Sequence, residues 1–341
     1  MNQKKQSNMN ITYFMRSVDA GHSINKVFSP IISKISENEA HKIDAYYAPK
    51  AGAKFSCLLR NILYVFNNRN RSGINHITGD ITYCAIGLLF QKTVITIHDT
   101  GRFDNEKREL KDVFYYLFWV FIPMLITNKA TCITEETAKR FKKYIPKFLH
   151  KKIVVINNPV DSNFQYTEAN RDRTIPTILH LGTKSNKNLE RIAEALMGTP
   201  CTLNIIGKLS ESQIKALKES AIQYTNSFNL TDEEINEAYK DCDIVSFASL
   251  YEGFGMPIIE GQAVGRPVVT SNIEPMLGIA NDSAIIVDPY DVQSIRNGFL
   301  ELIENNDIYD EIVQKGRKNV ERYSVAAISE EYSSLYQELL K

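Results

Sequence analysis

Ile244-Val-Ser-Phe247-Ala-Ser249-Leu-Tyr-Glu252-Gly-Phe-Gly-Met-Pro257-Ile-Ile-Glu260-Gly-Gln-Ala-Val-Gly265-Arg-Pro267-Val-Val-Thr-Ser271 reads as strand, glycine-containing loop, helix and strand. The apolar run Ile244 to Phe247 suits a buried strand. Gly253 and Gly255 permit backbone conformations closed to other residues and let a ligand approach the main chain closely. Pro257 suits the start of a helix that runs to about Val264, with Gly265 as its stop signal and Pro267 to Ser271 as the next strand. The start of such a helix favours an anion such as a phosphate. Glu252 falls in the loop before the helix and Glu260 one turn inside it. One carboxylate can therefore face a ligand's neutral end while the other accepts hydroxyl hydrogen bonds at the opposite end.

The same alternation extends in both directions, as expected of βαβ units around parallel sheets. Upstream, strands are expected at Ile11 to Met15, Ala45 to Tyr47, Gly73 to Ile77, Thr93 to Ile97, Ala130 to Ile133 and Ile153 to Ile156. Helical patterns such as Ile24 to Ser36 and Glu135 to Lys143 lie between them. A polar stretch, Asn170 to Pro176, reads as a linker. A second series follows, with strands at Thr177 to Leu181, Thr202 to Ile206, a very short one at Ser227 to Phe228, Ile244 to Phe247, Val268 to Ser271 and Ala284 to Val287. Helices at Leu189 to Leu196, Ser210 to Glu219, Asp232 to Lys240 and Val292 to Asn305 separate these. The fold class is α/β, two doubly wound halves with ligands expected at the carboxyl ends of the strands.

The chain has 341 residues, enough for two domains. Its 40 basic and 40 acidic residues cancel, against the basic excess of a dedicated nucleic-acid binder. The five cysteines are scattered, without metal-ligand spacing, as expected of reduced thiols. The polar start lacks a signal-peptide apolar region, which gives a cytoplasmic expectation. Val113 to Ile126 is the most apolar window, but it is short for a membrane span and contains Pro123, so a buried or interfacial helix is expected.

The Glu252 to Glu260 segment resembles the Glu-x7-Glu motif of the retaining glycosyltransferases of family 4, which have the GT-B fold of two Rossmann-like domains facing across a cleft. The resemblance implies an acceptor-side domain over residues 1–160, onto which a C-terminal helix at 324–341 packs back, and a nucleotide-sugar-binding domain over 161–323. It assigns donor-sugar contact to Glu252 and ribose binding to Glu260, with Gly253, Phe254, Gly255, Met256 and Pro257 lining the donor between them. Gly182-Thr183-Lys184-Ser-Asn-Lys187 follows the first strand of the second half and resembles the family's phosphate loop. Lysines and helix amides can converge there on a diphosphate. Lys187 matches the family's lysine, whereas Thr183 stands where the family has an arginine, leaving Lys184 as the substitute charge.

In the first half, His98 ends a strand as the family's reaction-centre histidine does. Glu252, His98 and Lys187 are thus the catalytic candidates. Gly21 falls in the family's loop near the donor phosphate or the acceptor, and His76, Asp80 and Asp99 are acceptor-side candidates. Asp80 reads equally as a turn residue capping the following helix. Where the family has a glutamate this chain has Gly278, so no role is carried there.

The implied reaction moves a sugar from a nucleoside diphosphate sugar to a glycan or lipid-linked glycan, with retention, in surface polysaccharide assembly. No cofactor is expected, and no metal, since lysines and amides can neutralise the leaving group and no Asp-x-Asp pair suits magnesium. Residues 139–152 carry seven basic residues and no acid after the aromatic run, so peripheral contact with an anionic membrane is a further expectation beside an ordinary solvated face. Rival readings are a GT-B-type sugar-nucleotide epimerase and a non-catalytic GT-B partner protein. A dinucleotide dehydrogenase is disfavoured because no Gly-x-Gly-x-x-Gly follows the first strand.

Overall fold

A computed structural model describes residues 8–20, 23–101, 110–169 and 175–341. The chain forms two compact units, Met1–Pro159 with Val325–Lys341, and Val160–Ser324.

The first unit is built on six parallel strands, β1 (Asn10–Met15), β2 (Lys42–Tyr47), β3 (Ile74–Ile77), β4 (Lys92–Ile97), β5 (Lys129–Cys132) and β6 (Ile153–Val155). Their order is β2-β1-β3-β4-β5-β6. Inner strands such as β1 and β3 are buried along nearly their whole length, because helices cover both faces of a parallel sheet. The C-terminal helix Val325–Leu340 packs on helix Ser23–Ser36 and inserts Ile328, Tyr332 and Tyr336 among Ile11, Tyr13 and Phe28. A buried polar chain runs through this core. The His76 ring bonds Tyr336 Oη at 2.6 Å and Thr96 Oγ1 at 2.8 Å, and Thr96 bonds Thr131 at 2.7 Å. Each member is satisfied, so the chain specifies one packing rather than leaving orphaned groups.

The second unit carries β7 (Thr177–Leu181), β8 (Thr202–Ile206), β9 (Gln223–Ser227), β10 (Ile244–Phe247), β11 (Val268–Ser271) and β12 (Ile285–Val287), all parallel. The order is β12-β11-β10-β7-β8-β9. Counted from β7, this is the Rossmann sequence 3-2-1-4-5-6, whose direction of growth reverses between β7 and β10. The doubly wound expectation holds for both halves.

Local signals account for several boundaries. Thr231 and Glu234 close a capping box at the start of helix Asp232–Asp241, and Ser210 with Gln213 closes another before Glu211–Glu219. β9 corrects the expected strand at Ser227 to Phe228, since it lies at Gln223–Ser227. The apolar window at 113–126 is helical throughout but passes through a π-helical stretch, Tyr116–Phe121. Trp119, Val120, Pro123 and Met124 are buried there, while Val113, Phe114, Leu117 and Leu125 are exposed. The expected linker falls partly outside the described residues, at 170–174.

Arg266 is fully buried in the second unit. Its guanidinium donates to the carbonyls of Lys240, Cys242, Val264 and Thr167 and to Thr167 Oγ1. It thereby ties the ends of two helices to the segment entering the unit. Arg266→Met should lower stability by roughly 3 kcal/mol, because several buried carbonyls lose their donor. Denaturant unfolding measures this, and a loss under about 0.5 kcal/mol would contradict it.

Candidate active site

Neighbouring strands that grow in opposite directions leave a crevice beyond their carboxyl ends. In the second unit that place is defined by the loops after β7 and β10, and the expected donor-side residues lie on them. Lys187 Nζ meets Glu252 Oε1 at 2.7 Å, with side-chain exposures of 18% and 16%. Asn186 Nδ2 donates to the same carboxylate oxygen at 3.2 Å and to the Tyr251 carbonyl at 2.8 Å, and the Leu250 amide donates back to the Asn186 carbonyl. The two loops are therefore laced together by main-chain and side-chain bonds.

The lysine's course is set by the backbone beneath it. Gly182 has φ +88°, and a Cβ there would lie 3.0 Å from Lys187 Cε, so glycine leaves room for the lysine stem. The ammonium then sits 4.7 Å from the centre of the Phe247 ring. Asn188, in the left-handed region at φ 63°, starts the next helix and donates to the carbonyls of Ala248 and Pro289. It fixes the loop's exit as Gly182 fixes its entry.

On the other loop, Gly255 at φ +132° opens helix Met256–Val264 without any side-chain cap, and Pro257 occupies its first turn. Phe254 is buried edge-on against Tyr323, so its side chain anchors the loop rather than lining its open face. Glu260 Oε2 accepts from Tyr239 Oη at 2.5 Å. Burial, then the neighbouring Glu260 charge, push the Tyr239 hydroxyl well above its ordinary pKa and keep it a donor. Thr183 Oγ1 donates to the Lys208 carbonyl and its own carbonyl accepts from Gln213, which commits it to the scaffold. Lys184 is exposed. Gly278 has the Glu274 carboxylate over its amide at 3.2 Å. The chain's one Asp-x-Asp sequence, Asp241-Cys242-Asp243, precedes β10, and Asp243 Oδ2 accepts from the Thr177 amide at the opposite end of the sheet.

In the first unit, His98 is half-buried after β4 and its Nε2 lies 2.8 Å from the Thr78 carbonyl. That bond places the proton on Nε2 and leaves Nδ1 to accept. Burial lowers its pKa, opposed by the Thr78 carbonyl and by Asp99 and Asp80. Asp80 and Asp99 are exposed. Asp80 does not cap the next helical turn, Thr82–Leu88, which has no side-chain cap, and its carbonyl accepts from Trp119 Nε1. Asp99 bonds the Gly101 amide. His76 is corrected: it is fully buried with both ring nitrogens engaged, so no acceptor reaches it. Gly21 lies outside the described residues.

Asn186, Asn188 and Tyr239 belong to the site and were not singled out in the sequence. An Asn-Lys-Asn triplet directly before a helix was the available signal for the first two, since asparagine tolerates left-handed backbone and satisfies loop carbonyls.

Residues 161–319 match the model of the family described as Glycosyl transferases group 1. Over 247 residues, 65% of this chain, the sequence is 24% identical to the serotype-specific mannosyltransferase WbdA of Escherichia coli, and it spans 30% of that relative's length. It covers a comparably small share of other curated mannosyltransferases that it matches. A glycosyltransferase of Rickettsia africae superposes with TM-score 0.76 at 17% identity, covering 98% of this chain and 99% of that one. HepE of Anabaena in complex with UDP superposes with TM-score 0.73 at 14% identity, covering 97% and 100%. These likenesses establish the two-domain GT-B fold.

Burial holds His180, beneath the phosphate-loop candidate, at a pKa of about 4, with Lys187 adding to the shift and the Gly182 backbone opposing it, and His76 at about 3. Both are neutral in the folded chain, whereas unfolded histidines titrate near 6.5. Their contribution to stability is complete above about pH 6.5 and is lost as pH falls towards the folded values, by up to about 1.4 kcal/mol per unit for each. Melting temperature should therefore fall between pH 6.5 and 4.5, less steeply in His180→Asn than in the wild type. Parallel slopes would contradict this.

Proposed function

We propose that the chain is a retaining, metal-independent glycosyltransferase that moves a sugar from a nucleoside diphosphate sugar to a glycan or lipid-linked glycan in surface polysaccharide assembly. The Lys187–Glu252 contact at the switch between β7 and β10 is the observation that carries this reading. A cation and a carboxylate are held side by side, next to an uncapped helix start. A diphosphate takes the lysine and the helix end, which together stabilise its charge as the bond between the sugar's anomeric carbon and the diphosphate oxygen breaks. Released from the lysine, Glu252 accepts hydrogen bonds from the sugar hydroxyls and sets the sugar's orientation. Glu260, braced by Tyr239, accepts from the ribose hydroxyls. Lys184, exposed beside the phosphate loop, supplies a second positive charge.

On the first unit, His98, with Nδ1 left to accept, and the exposed Asp80 and Asp99 are the groups proposed to serve the acceptor. The acceptor hydroxyl loses its proton to the departing phosphate, on the face from which it attacks. The leaving group's charge is neutralised by protein groups, so no metal is used. The O-antigen chain mannosyltransferase B among the relatives and the UDP-bound HepE support a sugar donor of this chemical class.

Glu252→Ala should reduce transfer by about a hundredfold or more while changing nucleoside diphosphate affinity by less than about threefold. Product formation from a panel of UDP- and GDP-sugars, with calorimetric titration of the free nucleotide, reads both. Near-normal turnover in the variant would refute the assigned role.

A further inference from the structure

Helix Phe55–Asn67 in the first unit has two apolar faces where one would suffice. Leu58 and Val65 are buried and Ile62 packs partly against the core. Phe55 (74%), Leu59 (46%), Leu63 (50%) and Phe66 (46%) are exposed. At 100° per residue those four fall within an arc of about 80°, so they form one continuous stripe pointing to solvent. Gly87 lies against the Ile62 carbonyl and Phe66, and the chain then presents Leu89 and the almost fully exposed Phe90 beside the stripe's C-terminal end.

The stretch of chain that carries the stripe, between Asp44 and Asp80, has charge of one sign. Residues 45 to 79 contain Lys50, Lys54, Arg60, Arg69 and Arg71 and no aspartate or glutamate. Lys50, Lys54, Arg60 and Arg71 are exposed, and none pairs with a carboxylate among the described residues. Arg69 stacks on Phe66 at 3.6 Å. Segment 139–152 has three of its seven basic groups engaged. Lys139 and Arg140 pair with Glu136, and Lys152 Nζ is spent on the carbonyls of Met124, Leu125 and Thr127.

We infer that the exposed face of helix Phe55–Asn67 docks on an anionic lipid bilayer, with Phe55, Leu59, Leu63, Phe66 and Phe90 entering the acyl boundary and Lys54 and Arg60 meeting headgroup phosphates. An apolar stripe alone could be covered by any apolar partner, but a stripe set in a one-signed basic field matches a surface that is apolar below and anionic above. Either signal alone anchors weakly, and the two together hold a protein at the membrane. No helix among the described residues is long and apolar enough to cross a membrane, so this surface acts at the interface. The inference deepens the lipid-linked-acceptor part of the proposed function.

The test is co-sedimentation of the full chain with phosphatidylglycerol vesicles and with pure phosphatidylcholine vesicles, without donor or acceptor. A failure here therefore leaves the transferase reading standing. Wild type should bind the anionic vesicles preferentially, and binding should weaken as salt rises. Phe55→Ser/Leu59→Gln/Leu63→Gln should lower that binding about tenfold, as should Lys54→Glu/Arg60→Glu. Lys139→Gln/Arg140→Gln, whose charges already pair with Glu136, should change it by less than about twofold. Vesicle binding undiminished in the first two variants, with wild-type melting temperatures, would overturn the inference. So would a wild-type dimer in sedimentation equilibrium that the triple variant splits, since the stripe would then belong to a second copy.

Discussion

The adjacency of β7 and β10 is the constraint from which the second unit's chemistry follows. The strands pair in parallel, Val245 opposite Leu179, yet sixty-odd residues of chain separate them and the sheet grows away from this line on both sides. Loops that follow two such strands are not covered by each other's crossover helices. They converge, and their polar atoms must be satisfied there. Asn186, Lys187 and Asn188 do this from one side, and the carbonyls of Ala248 and Tyr251 with the Glu252 carboxylate do it from the other. Gly182 is glycine because the lysine stem crosses its α-carbon, so the cation's placement is encoded in the backbone below it.

The two units share an architecture but use their polar residues differently. In the first, histidine, threonine and tyrosine form a closed network in the core, and the last helix supplies part of it through Tyr332 and Tyr336. In the second, a comparable burial of polarity lies at the amino end of the sheet, away from the site, where Arg266 ties the chain before β10 to the chain before β11. Neutral buried histidines occur in both, so acid weakens both for the same reason.

Much of the fold was readable because parallel strands buried on two faces are apolar runs, as Ile244 to Phe247 and Val268 to Ser271 are. β9, Gln-Tyr-Thr-Asn-Ser, was misplaced because an edge strand pairs on one side and faces water, which removes the apolar signal. The first half of β2, Lys42-Ile-Asp44, escaped for the same reason. Within the site, Glu252, Glu260 and Lys187 stood out through the glycines and proline around them. Tyr239 bracing Glu260 was not legible, because the pair is formed by packing one helix on another. His76 misled because a strand-end histidine looks the same in sequence whether it faces a ligand or, as here, Tyr336. The exposed stripe on Phe55–Asn67 was hidden by the helix's general apolarity, since only burial separates its two faces.

Calorimetric titration of wild type and Lys187→Met with UDP, GDP, ADP and CMP asks whether the β7 and β10 loops form a nucleoside diphosphate site with Lys187 as its cation. One nucleoside diphosphate should bind the wild type selectively, and the variant should bind it at least about tenfold more weakly, equivalent to about 1.4 kcal/mol. Equal affinity in the two proteins, or no binding of any nucleoside diphosphate to a folded wild type, would contradict this.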